Sequence, residues 1–290
     1  MPRIREGRCT PFLGAGVNYG ILPLGGQIAR DWATAEEFPL LDCEDLSRVS
    51  QFIAVKYNDP MEPKERILRL LGSCPQPDFH AQDGRLDCLR ALAELPLPIY
   101  LTTNYDDLML QALQHAGKHP RRDICRWNDL LKSVPRVIGP GSQYQPDSLN
   151  PLVFHLHGSD EVVKSVVLTE DDYLDFLVNI SRNQKLLPAR IQEALTDASL
   201  LFIGYRLRDI NFRVIHRGLV QSLDGSLRRL SVTVQMTPPE DASGSPSAAE
   251  QYLSRYFEEL RVRVYWGTAA QFAGELRDRW RKFVGENGTR

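Results

Sequence analysis

The chain has 290 residues, 35 Lys and Arg against 37 Asp and Glu for a formal net charge of −2, 42% apolar residues and 25% charged residues. That balance fits one large globular domain or two modest ones and excludes a strongly basic nucleic-acid binder, so no direct nucleic-acid contact is expected; no apolar run approaches the roughly 18 residues of a membrane helix. The cysteines, Cys9, Cys43, Cys74, Cys88 and Cys125, are scattered without a C-x-x-C pair, and Met1 to Gly16 lack a signal-peptide core; a four-cysteine zinc site and a disulfide framework are therefore excluded, and a reduced, cytoplasmic protein is predicted.

Short runs rich in Ile, Val, Phe and Tyr predict strands, and they alternate with amphipathic stretches that predict helices. In chain order the reading is a strand at Cys9–Leu13, a helix at Gln27–Ala35, then about 60 residues of helical character. Leu46, Val49, Phe52, Ile53 and Tyr57 mark one amphipathic stretch there, and Ile67, Leu68, Leu70 and Leu71 another. A strand at Pro98–Thr102 leads into a helix at Asp107–Ala116, and an irregular stretch at Val134–Pro151 precedes a strand at Leu152–Leu156. Thr169-Glu-Asp-Asp opens a helix with a capping signal, and Leu187–Leu195 forms another. The strand Ser199–Gly204, the helix Asp209–Leu219, the strand Leu230–Gln235, the irregular stretch Pro238–Ser247, the helix Ala249–Leu260, the strand Arg261–Tyr265 and the helix Thr268–Val284 complete the chain.

Nearly continuous apolar strands such as Ser199-Leu-Leu-Phe-Ile-Gly204 suit burial on both faces. The expected fold is α/β: a Rossmann-like, mostly parallel sheet with helices on both faces and a helical insertion lobe. The core is expected at about 8–35, 97–117, 150–160 and 198–290, with insertions at about 36–96 and 161–197, all in one domain of residues 1–290.

Four motifs follow predicted strands. Phe12-Leu-Gly-Ala-Gly-Val-Asn18 is either a loop whose backbone N–H groups approach a pyrophosphate or a tight turn without a ligand. Leu101-Thr-Thr-Asn-Tyr-Asp-Asp107 is either a helix cap, through Asn104 or Asp106, or a catalytic loop. In Val153-Phe-His-Leu-His-Gly158, an alternating strand puts His155 and His157 on one face; with no further ligand cluster, His157 reads as an acid–base group and His155 as a hydrogen-bonded structural histidine. Phe202-Ile-Gly-Tyr-Arg-Leu-Arg-Asp-Ile-Asn211 offers Gly204 and Tyr205 to a ribose or adenine and Asp209 as a helix cap, while Arg206 and Arg208 fit either a phosphate or an exposed surface.

Taken in order, Gly14-Ala-Gly-Val-Asn18, Thr102-Thr-Asn-Tyr-Asp106, His157-Gly158 and Gly204-Tyr205 resemble the sirtuin (silent-information-regulator) family. Asn18 stands where that family has serine, and Thr103 where it has glutamine. The family's deacylases carry a zinc ribbon of two cysteine pairs after His-Gly, whereas this chain has no cysteine after Cys125 and runs into Val167-Leu-Thr-Glu-Asp-Asp-Tyr173. In that it is similar to the zinc-less, sirtuin-like NADases of bacterial anti-phage defence.

The resemblance implies NAD as substrate and no metal. It implies that Asn104 holds the ribose and orients the attacking group, that His157 is a base towards a ribose hydroxyl and that Asp106 lies at the nicotinamide amide. Gly14, Ala15, Gly16, Asn18, Thr103, Tyr105, Gly204, Tyr205 and Asp209 are the implied NAD-binding residues. The implied activity is hydrolysis of NAD to nicotinamide and ADP-ribose; the alternatives are an NAD-dependent protein deacylase and a non-catalytic NAD or ADP-ribose binding module. Because uncontrolled NAD loss is lethal, the expectation extends to a homo-oligomer gated by a separate protein, such as a HerA-type ATPase or a short Argonaute. The stretch Val134–Pro151, between the Asn104 and His157 motifs, is the candidate for a loop that assembly orders.

Overall fold

Alternate residues along each apolar strand face opposite ways, so strands apolar at every position need cover on both sides. The computed structural model describes residues 1–81, 84–205, 230–236 and 246–287. Its sheet holds β1 (Cys9–Leu13), β2 (Ile99–Thr102), β3 (Arg121–Ile124), β4 (Leu152–His155), β5 (Ser199–Ile203), β6 (Ser231–Gln235) and β7 (Val262–Trp266). They lie in the order β3-β4-β2-β1-β5-β6-β7, and every pairing is parallel. The helices are α1 (Pro2–Arg5), α2 (Gly25–Ala35), α3 (Leu46–Tyr57), α4 (Glu62–Ser73), α5 (Asp87–Glu94), α6 (Leu108–His115), α7 (Glu170–Arg182), α8 (Ala189–Thr196), α9 (Pro246–Glu259) and α10 (Ala269–Asn287).

Phe12, Leu101, Phe154 and Phe202 turn to one face and pack with Phe176 of α7, Ile191 of α8 and Phe257 of α9. Their neighbours Leu13, Tyr100, Val153 and Leu201 turn to the other and pack with Leu89 of α5, Met109 of α6 and Ala273 of α10. A third cluster joins Ile28 and Trp32 of α2, Val49 and Ile53 of α3 and Ile67 of α4 to Val166 and Leu168. α2, α3 and α4 thus form a helical lobe with an apolar cluster of its own, whereas α5, α7 and α8, within the stretches expected to be insertions, pack on the sheet.

That lobe carries a charge knot around buried Glu36. Glu36, at the C-terminal end of α2, accepts hydrogen bonds from Lys56 Nζ at 2.9 Å, Arg66 Nη1 at 2.5 Å and Tyr57 Oη at 3.1 Å. The Arg66 and Lys56 bonds hold the Glu36 carboxyl down at about 2, below its ordinary 4.5. A carboxylate with a depressed folded pKa stabilises the fold above its unfolded pKa and loses that contribution as pH falls through the folded value. Glu36→Gln is therefore expected to cost about 2 kcal/mol at pH 7. The deficit against the wild type shrinks as the pH falls from about 4.5 towards about 2, read from melting temperatures across pH. A deficit independent of pH contradicts the assignment.

β3 was not expected. Its sequence Arg121-Arg-Asp-Ile124 lacks an apolar run, yet it forms the edge strand beside β4. Its inward charge is neutralised locally: buried Asp123 meets buried Arg126 at 2.6 Å. Asp123 Oδ2 also accepts the N–H groups of Val137 and Ile138 at 3.1 and 3.0 Å, and Arg126 donates to the carbonyls of Val134 and Pro135. The irregular stretch Val134–Pro151 is thus anchored at its start by a buried ion pair, and Val134, Val137 and Tyr144 pack on the core. Breaking such a pair leaves a buried charge uncompensated. The expected helix Asp209–Leu219 and residues 238–245 lie outside the described residues, while Pro246 and Ser247, expected to be irregular, open α9.

Candidate active site

Chain order reverses at β1, whose neighbours are β2 on one side and β5 on the other. Open α/β sheets bind ligands beyond the carboxyl ends of the strands at such a point. The loops that leave β1, β2, β4 and β5 carry the four motifs.

The first and fourth motifs form one backbone knot. Gly14 N–H donates to Ile203 O and Gly16 N–H to Gly204 O, both at 2.9 Å. A Cβ on Gly16 would lie 3.0 Å from Gly204 Cα, and one on Gly204, at φ +85°, would lie 2.5 Å from Gly14 O and Val17 N. These glycines are required by each other's approach, and two amides expected to face a pyrophosphate are engaged inside the protein. Ala15 stays exposed at the tip, and Asn18 is buried. Tyr205 Oη donates to Leu13 O at 2.9 Å and lies 2.8 Å from Thr103 Oγ1, so the β2 and β5 loops close over the end of β1. Asp209, Arg206 and Arg208 lie outside the described residues.

In the β2 loop, Asn104 is gripped at three points. Its N–H donates to Thr102 Oγ1 at 3.0 Å, its Nδ2 donates to Gly14 O at 3.2 Å, and its carbonyl lies 2.9 Å from His155 Nδ1. Tyr105 Oη donates to Val167 O at 2.7 Å, tying the loop to the segment before α7. Asp106 Oδ1 accepts Leu108 N–H at the start of α6, whose N-cap is Asp107 rather than the expected Asn104 or Asp106, while Oδ2 accepts Asn18 Nδ2 at 2.8 Å. Burial raises Asp106 to about 6, against the lowering pull of those bonds. The Asn18–Asp106 bond joins residues of the first and second motifs.

β4 ends at His155, so His157 lies in the following turn and the alternation that put both histidines on one face does not extend to it. His157 is buried, edge-on to the rings of Tyr173 and Phe176 at 5.3 and 5.0 Å, and burial alone lowers it to about 3. It is a neutral imidazole at pH 7. Gly158, at φ +88°, sits so tightly on Ser165 that a Cβ would lie 2.2 Å from Ser165 O. Ser165 O also accepts Trp127 Nε1–H at 2.8 Å. Thr169 and Asp172 form the expected capping box of α7, and buried Lys64 of α4 meets Asp172 at 2.6 Å. The turn that presents His157 is thereby locked to the lobe.

Sequence reasoning missed Arg122 and Ser159. Arg122 reaches Asp160 at 2.6 Å, Glu161 at 3.2 Å and Asp107 at 3.9 Å, clamping the β2 and β4 loops together. Its only signal was a pair of arginines in a segment with no strand pattern. Seven buried side-chain polar atoms lack hydrogen-bond partners among the described residues: Ser50 Oγ, Arg122 Nε, Asn128 Oδ1 and, in or beside the motif turns, Asn18 Oδ1, His155 Nε2, His157 Nε2 and Ser159 Oγ. Buried polar atoms are ordinarily paired, so this concentration at one sheet edge marks groups arranged for a bound molecule or water. No group of three or more His, Cys, Asp or Glu placed to hold a metal ion occurs among the described residues. Dialysis against a chelator is accordingly expected to leave the melting temperature unchanged; a bound metal whose removal unfolds the protein contradicts this.

Three relatives named NAD(+) hydrolase ThsA align with the chain. The protein from Cytobacillus dafuensis is 30% identical over 214 residues, covering 73% of this chain and 38% of that relative. The one from Enterococcus faecium is 29% identical over 126 residues, covering 43% and 23%, and the one from Acinetobacter baumannii (strain 532279) is 25% identical over 171 residues, covering 59% and 30%. The chain thus spans well under half the length of these relatives. The SIR2-like domain family matches residues 98–264, which run from the start of β2 into β7 and include the Asn104, His157 and Gly204 turns. With more than half of its residues matched, and its parallel sheet carrying these turns at one edge, the chain belongs to the family of SIR2-like domains.

Proposed function

We propose that the chain is an NAD glycohydrolase that cleaves NAD to nicotinamide and ADP-ribose. The observation that carries this is the gathering of Asn104, Asp106, Asn18 and the His155–His157 turn at the β1 switch point, with four buried polar atoms unpartnered among the described residues. The names of the aligned relatives support the same chemistry.

The reaction makes modest demands. When the bond from ribose C1′ to the pyridinium nitrogen breaks, nicotinamide leaves with the bonding electrons, which cancel its positive charge; no acid is needed. The ribose passes through an oxocarbenium-like centre, water adds to C1′, and one proton leaves that water. In this reading Asn104 holds the ribose and orients the water, and neutral His157 accepts from a ribose hydroxyl. Asp106 meets the nicotinamide amide, and Ala15, Gly16 and Gly204 border the nucleotide. The two engaged glycine amides leave phosphate recognition to other groups of that loop.

The same reading makes the protein a gated effector of anti-phage defence in the cytoplasm. A ceaseless NADase would exhaust its host, so the isolated chain turns over NAD slowly and activity rises in a homo-oligomer assembled with a separate regulatory protein. Light scattering run beside an NAD-consumption assay tests this; a monomer that turns over NAD rapidly on its own contradicts it. The chemistry is tested by incubating the purified chain with NAD, with and without an acyl-lysine peptide, and identifying products by mass. Nicotinamide and ADP-ribose without peptide are expected. An O-acyl ADP-ribose formed only with peptide makes it a deacylase, and NAD bound but intact makes it a binding module.

A further inference from the structure

We infer that His155 is the positioning residue for Asn104: its Nδ1–H holds the Asn104 carbonyl and thereby sets where the Asn104 side-chain amide stands. The inference rests on the NAD-cleaving reading above. A carbonyl oxygen can only accept, so the 2.9 Å contact requires the proton on Nδ1. A neutral imidazole then has no proton on Nε2, the atom that is buried without a partner among the described residues.

Neutrality itself follows from the surroundings. Burial, then the nearby positive charge of Arg122, lower His155 to about 4, although the Asn104 and Gly158 carbonyls pull the other way. The ring therefore stands between the loop carrying Asn104 and the turn carrying His157. Its own backbone cannot drift: His155 O accepts Cys125 N–H at 2.8 Å, and His155 lies in register with Thr102, whose carbonyl accepts Leu156 N–H at 2.8 Å. Thr102 Oγ1 holds Asn104 N–H, His155 holds Asn104 O, and Gly14 O takes Nδ2. Of these three anchors, the His155 bond alone ties Asn104 to β4, the strand that leads into the His157 turn. Misplacement of a reacting group by about 1 Å can cost 10²-fold in rate, so a bond of this kind affects turnover more than substrate binding.

The test uses the full chain and three variants. Asn at this position keeps an N–H donor where Nδ1 was; Gln keeps nitrogen only at the ε position; Leu keeps neither. His155→Asn is expected to retain kcat within about 3-fold, while His155→Gln and His155→Leu lose at least about 10-fold in kcat with KM changed less than about 3-fold. The ¹⁵N spectrum of wild-type His155, assigned by its absence in His155→Asn, is expected to show the Nδ1–H tautomer. Active Gln with inactive Asn makes Nε2 the working nitrogen and overturns the proposal. So do three fully active variants, or losses of kcat that simply track losses of melting temperature. An Nε2–H tautomer overturns the bond to Asn104 whatever the chain catalyses. An Nδ1–H tautomer in a protein that cleaves no NAD overturns the reading of function and, with it, the positioning of a catalytic amide.

Discussion

Asn104→Ala is expected to lower NAD cleavage at least about 100-fold while costing about 1 kcal/mol of stability. The stability term is small because, among the described residues, the side chain makes one hydrogen bond, Nδ2 to Gly14 O at 3.2 Å, and Asn104 is only partly buried. The backbone anchors at Thr102 and His155 do not depend on the side chain and survive the substitution. The rate term is large because the amide stands where the β1 and β2 loops meet, beside the Asn18–Asp106 pair. His157→Gln is expected to fall by a similar factor, since the neutral imidazole between Tyr173 and Phe176 is lost. Steady-state rates and urea unfolding of the same preparations check both halves. Full activity in folded Asn104→Ala removes this residue from the mechanism.

Gly158→Ala is expected to cost about 3 kcal/mol or more, from two sources that add. The residue sits at φ +88°, where a side chain is strained, and its Cβ would lie 2.2 Å from Ser165 O and 2.3 Å from Ser165 C. Neither atom is a flexible side-chain end, so the 163–168 segment must move, and with it Trp127 Nε1 and the His157 carbonyl that accepts Val167 N–H at 2.9 Å. Activity is expected to fall with stability. Gly72 in α4 is the control: nothing lies within 4 Å of its Cβ position, and Gly72→Ala is expected to be neutral or stabilising by up to about 1 kcal/mol. Chemical unfolding that places Gly158→Ala within about 1 kcal/mol of wild type contradicts the packing account.

Much of the fold was legible because its signals are local. Six of the described strands carry their own apolar runs, and the Thr169–Asp172 capping box is written in four residues. β3 escaped because its partner in neutralisation, Arg126, and the amides of Val137 and Ile138 lie downstream of a strand that reads as charged surface. The site was legible as four strand-end motifs but not as an assembly. Gly14 and Gly204 need each other, yet nothing near either names its partner. Tyr205, Thr103 and Leu13 likewise meet only once the sheet is built. Alternation put His155 and His157 on one face, and a place at the strand's end before Gly158 marked His157 as the functional histidine, but the strand stops at His155, and the turn at Gly158 decides where His157 stands.

The most direct test of the account follows nicotinamide release and ADP-ribose appearance from NAD, without peptide, for the wild-type chain and Asn104→Ala side by side. The account predicts equal amounts of the two products from the wild type and at least about 100-fold less of both from the variant. NAD left intact by both proteins, or consumed equally fast by both, contradicts it.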